Sequence, residues 1–78
     1  MDRSREKLSP ERLFEASEAV LQAVAEVVQI RGACPYPPEL LGEADQPECL
    51  TNLTRFEVEE ATAFLVRLGI LQARRANA

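Results

Sequence analysis

The chain has 78 residues, 46% of them hydrophobic, with a net charge of −4, two cysteines and no histidine. That is one small domain with a thin core, no histidine base or imidazole metal ligand, and too few thiols for a four-ligand zinc site. The charge is uneven: residues 13–66 hold ten acids and two bases, whereas residues 67–78 hold three arginines and no acid. An acidic body repels phosphate, which argues against nucleic acid as the main partner.

Residues 1–8 are charged and aperiodic and read as a flexible tail. No uncharged signal core follows them, and no apolar run approaches the roughly 20 residues that span a bilayer. The expectation is a cytoplasmic protein that does not enter the membrane. Ser9-Pro10-Glu11 then opens a helix, with Ser as N-cap, Pro at the first helical position and an acid in the first turn. This helix should run to about Arg31, where Gly32 caps it. Its polar residues Glu15, Glu18, Gln22, Glu26 and Gln29 share a stripe roughly 80° wide. Opposite lie Leu13, Phe14, Val20, Leu21, Val24, Val27 and Val28, with alanines and Ile30 on the flanks, so the helix exposes much less polar surface than a typical surface helix. One other helix cannot cover that surplus, so Val20, Val24 and Val27, flanked by alanines, are the expected anchors for a second protein surface.

Cys34-Pro35-Tyr36-Pro37-Pro38 should be extended or polyproline-like, because each proline fixes its own torsion and biases its predecessor. The first four residues resemble a glutaredoxin C-P-Y-C site without its second cysteine. Such a thiolate needs a helix N-terminus, and Cys34 instead follows a helix, so a redox role is set aside. Short helical turns are expected at Glu39–Gly42 and Pro47–Leu50. Leu40, Leu41, Leu50 and Leu53 should pin the loop to the core.

The next helix has both ends written in the sequence. Thr54 and Glu57 form a T-x-x-E capping box, with Leu53 and Val58 spaced for a hydrophobic staple. Gly69 falls where a left-handed C′ residue belongs, and Ile70 folds back toward Leu65. The expected core is Leu13, Val20, Val24, Val28, Leu53, Phe64, Leu65 and Leu68. A short strand is expected at Ile70-Leu71-Gln72, and residues 73–78 read as a second flexible tail, leaving 9–72 as a single helical domain. Glu57, Glu59 and Glu60 serve the cap and the helix dipole rather than acid–base chemistry, and no nucleophile–base pair or cofactor motif is present. The chain therefore does not read as an enzyme.

The order of long helix, Pro38-Glu39-Leu40-Leu41, and Thr54-Arg55-Phe56-Glu57-Val58 to Phe64-Leu65-Val66-Arg67-Leu68-Gly69-Ile70-Leu71 resembles a winged-helix domain over residues 10–72. The resemblance implies a helix-turn-helix leading into a β wing. Here the segment from Leu41 to Thr54 exceeds a helix-turn-helix turn, the second helix opens with acids, and little chain follows Leu71. The fold expected is mainly α: two long helices, short helical turns and a proline-rich loop, winged-helix-like without a full wing. The resemblance then points to the family's protein-interaction and dimerisation modules, working as a homodimer or with another protein. Tyr36, Phe56 and Val66 join Val20, Val24 and Val27 as surface candidates. The alternative is a small DNA-binding transcription regulator using Arg55, Arg67, Arg74 and Arg75.

Overall fold

The computed structural model describes residues 8–71. Helix α1 spans Pro10–Arg31 and helix α2 spans Arg55–Arg67; two 3₁₀ turns, Pro37–Leu40 and Glu48–Leu50, lie between them. The structure is mainly α, and no strand occurs among the described residues.

Local chemistry sets the helix ends. At the start of α1 the Ser9 hydroxyl accepts from the Arg12 backbone N–H at 3.1 Å. Pro10 at the first position loses nothing, since its missing N–H would have no helical partner. At the end Gly32 turns left-handed (φ 87°) and donates its N–H to the Val28 carbonyl at 2.7 Å. Helix α2 opens on the full capping box: the Glu57 N–H donates to Thr54 Oγ1 at 3.1 Å, and the Thr54 N–H donates to Glu57 Oε1 at 3.0 Å.

It closes on a Schellman turn. The Gly69 N–H donates to the Val66 carbonyl and the Ile70 N–H to the Leu65 carbonyl, each at 3.0 Å. The expected strand is therefore corrected. Ile70 and Leu71 both spend their N–H groups on the Leu65 carbonyl, which removes them from any ladder; Gln72 lies outside the described residues. Gly69 sits at φ +80° with open space around a notional Cβ, so only backbone strain opposes a side chain there. Gly69→Ala should cost about 1–2 kcal/mol, measured by urea denaturation; Gly69→Asn should lose less, because Asn tolerates the left-handed region.

The two helices run in the same general sense. Arg12 at the start of α1 reaches Glu57 at the start of α2, while Val24, further along α1, lines a cavity with Thr62 of α2 and with Leu71. The core is a line of Ala16, Val20, Ala23 and Val27 on α1 against Val58, Ala61 and Leu65 on α2, closed by Leu40 and Leu50 from the two 3₁₀ turns. Small residues at 16, 23 and 61 let the backbones approach closely. Two buried hydroxyls are satisfied within their own helices: Ser17 donates to the Leu13 carbonyl at 2.8 Å and Thr62 to the Val58 carbonyl at 2.7 Å. Among the described residues every buried side-chain nitrogen or oxygen has a hydrogen-bond partner, as a closed core requires.

Burial revises the expected core. Val20 and Leu65 are buried, Leu13, Val24 and Leu53 are half-buried and packed against the core, and Phe64 is half-buried. Val28 and Leu68 are instead 41% and 56% exposed. The inward direction of α1 is rotated toward its alanines, so Ala16 and Ala23 take the places that larger side chains were expected to fill. Leu8, read as tail, is half-buried; the other tail residues lie outside the described chain.

Candidate interaction surface

The rotation of α1 leaves an apolar line on its outside. Phe14, Leu21 and Val28 recur every seven residues and are 63%, 37% and 41% exposed. Seven residues fall about 20° short of two full turns, so the three side chains stay within about 40° of one another. They lie roughly 130° around the axis from the core line. Ala25, also exposed, borders the line. On the same border stand the exposed acids Glu11 and Glu18, since the first half of α1 turns its carboxylates to water.

The expected anchors fare differently. Val20 and Val27 are enclosed in the domain's own core and are not available to a partner. Val24 is half-buried and shares a cavity of about 70 Å³ with Cys34, Pro35, Tyr36, Pro37, Thr62 and Leu71. So Val24 and Tyr36 are brought together, but as the walls of a cleft where the proline loop meets both helices. Phe56 is half-open on α2, and Val66 is half-buried about 80° away around the same axis; the two do not form one patch. The residues that do form a line, Phe14, Leu21 and Val28, were legible as a seven-residue spacing. They were lost among the other apolar residues of a broad arc.

Three of the four described arginines are engaged within the fold. Arg12 grips Glu57 with two parallel hydrogen bonds, Nε to Oε2 at 2.7 Å and Nη2 to Oε1 at 3.0 Å, and also reaches Glu15 and the Asn52 carbonyl. Arg31 donates to Asp45 at 2.9 Å and meets Glu43 at 3.5 Å, which ties the polar turn of the loop to the end of α1. Arg55 meets Glu59 at 3.5 Å. Arg67 is exposed in the last turn of α2; Arg74 and Arg75 lie outside the described residues. The guanidinium contact holds the Glu57 carboxyl below its ordinary range, helped by the Thr54 N–H. Hydrogen bonding to Arg31 does the same for Asp45.

Both thiols are free. Burial pushes the Cys34 thiol up, with the Arg31 charge only partly opposing it. Burial and then the nearby Glu26 push Cys49 up. The Cys49 thiol donates to the Ala19 carbonyl at 3.4 Å, which pins the second 3₁₀ turn to α1. Neither environment favours the thiolate that redox or nucleophilic chemistry requires.

No family model, curated protein or solved structure matches the chain. No described helix is long and apolar enough to cross a membrane.

Proposed function

We propose that this domain is a non-catalytic interaction module that self-associates through the outer face of α1. The observation that carries the reading is the line Phe14, Leu21 and Val28, three large apolar side chains left in water by a helix whose core-facing residues Ala16, Val20, Ala23 and Val27 are already packed; Ile30, also exposed on α1, stands alone on the opposite side from Leu21. A regularly spaced apolar line on a finished domain is a surface suited to another helix. The winged-helix resemblance, in its form without a wing, fits the same reading. DNA binding through Arg55, Arg67, Arg74 and Arg75 is favoured by no specific feature among the described residues: Arg55 is paired with Glu59, and the start of α2 is acidic.

Light scattering over about a hundredfold dilution tests the proposal. The concentrated protein should approach twice 8.7 kDa, and Leu21→Asp should hold it at the monomer mass with its helix content intact. Leu21 is the residue to change because it lies outside the core, whereas an acid at half-buried Val24 would disturb the fold itself. A monomer mass for the unaltered protein at every concentration would remove self-association.

A further inference from the structure

We infer that the second copy docks antiparallel, α1 on α1, about a two-fold axis that passes beside Leu21. This rests on the self-association reading and adds its geometry.

The line is symmetric about its middle member. Phe14 and Val28 each lie seven residues from Leu21, so an antiparallel mate places Phe14 on the partner's Val28 and Leu21 on the partner's Leu21. The Phe14–Val28 contact is then made twice and Leu21 meets its own copy once on the axis, as a closed two-fold interface demands. The large ring at one end meets the smaller valine at the other, which keeps the spacing between helices even along the seam.

Charge favours the same direction. The first half of α1 carries the exposed acids Glu11, Glu15 and Glu18, while its Arg12 is committed to Glu57. The second half carries one exposed acid, Glu26, and its Arg31 is likewise committed, to Asp45 and Glu43. Antiparallel docking sets the acid-rich half of one helix along the partner's acid-poor half. Parallel docking would instead bring both acid-rich halves to the same level.

On the flank that both copies share, Glu18 comes beside the partner's Ala25, a side chain small enough to leave the carboxylate in water. The two Glu18 residues are then displaced along the axis by about six residues, or roughly 9 Å, close to the screening length at physiological salt. The helix dipoles also oppose rather than align. On the other flank, where Val24 faces Thr62 of α2, the two α2 helices fall on one side of the α1 pair, giving a four-helix cluster with its acids on the open side.

Site-directed cross-linking in the full chain decides the geometry. With Cys34→Ser and Cys49→Ser as background, Leu21→Cys, Phe14→Cys and Val28→Cys are each treated with a short bismaleimide. All three engineered positions are exposed, and helix content is checked for each protein. Leu21→Cys should form covalent dimers alone. Phe14→Cys and Val28→Cys should each stay largely uncoupled alone and couple when mixed. Efficient coupling of Phe14→Cys with itself and of Val28→Cys with itself would overturn the antiparallel arrangement in favour of a parallel one. A light-scattering dimer that none of the three sites couples would overturn this interface and leave self-association standing. A monomer at all concentrations would overturn both.

Discussion

Leu50→Ala should destabilise the domain by about 2–5 kcal/mol. Leu50 is fully buried, yet it belongs to a 3₁₀ turn of only three residues, held locally only by its N–H to the Pro47 carbonyl and the Leu53 N–H to its own carbonyl. Its side chain joins the connecting loop to the line of Ala16, Val20, Ala23 and Val27. Truncation removes apolar burial and leaves a cavity, which the two long helices cannot close without losing their own contact. A chain of this length has roughly 4–12 kcal/mol in total, so the change removes a large part of the stability. Urea denaturation measures the effect. Phe64→Ala is the informative contrast: Phe64 is half-buried, and its loss should cost less, about 1–3 kcal/mol. A Leu50→Ala change below about 1 kcal/mol with an unaltered urea slope would show that the loop does not seal the core.

Glu57→Gln should cost about 1–2 kcal/mol near neutral pH. One carboxylate serves two elements. Its Oε1 accepts from both the Thr54 N–H and Arg12 Nη2, and its Oε2 accepts from Arg12 Nε. An amide keeps one acceptor and turns an NH₂ group toward the guanidinium, so the paired geometry is lost. The figure stays modest because water reaches the arginine side of the pair.

The same contact makes stability depend on pH. The folded-state pKa of Glu57 lies below its ordinary value of 4.5. Its contribution is therefore fully present above that ordinary value and is lost as pH falls through the lower, folded value. Urea midpoints taken between neutral pH and pH about 3 should fall steeply for the unaltered protein and less for Glu57→Gln. Asp45, also held low by Arg31, should leave a residual slope in the variant. Equal slopes in the two proteins would show that the Glu57 carboxylate is not selectively stabilised by folding.

Helix ends were the most legible part of the chain, because their signals act over three or four residues. Ser9-Pro10, Gly32, Thr54 with Glu57, and Gly69 all do in three dimensions what their spacing indicates. The second short turn and the buried leucines were legible because few other apolar residues lie nearby. The first turn starts two residues before the expected Glu39 and takes in Pro37 and Pro38, which were expected to be extended; proline's fixed φ suits the first positions of a helical turn as well as extended chain. The facing direction of α1 was not legible. Its apolar arc is broad enough to admit several inward directions, and the direction is chosen by three separate elements packing on it. Close packing buried the alanines and left Phe14, Leu21 and Val28 outside. The Arg12–Glu57 contact was also hidden, since it joins residues 45 apart and depends on the two helices running the same way. Val20 and Val27 were correctly read as residues that need burial; the surface that buries them is the domain's own.

Glu57 also has a dynamic consequence. Its Oε1 is at once part of the N-terminal lock of α2 and part of the tether to α1, so the first turn of α2 cannot fray without loosening the start of α1. Helix termini ordinarily open on their own and exchange their amide protons fastest. Here the two starts, far apart in the chain, should open as one cooperative unit, and Glu57→Gln should raise the amide exchange of both together. The Gly32 end of α1, which has no part in the tether, should keep its own rate.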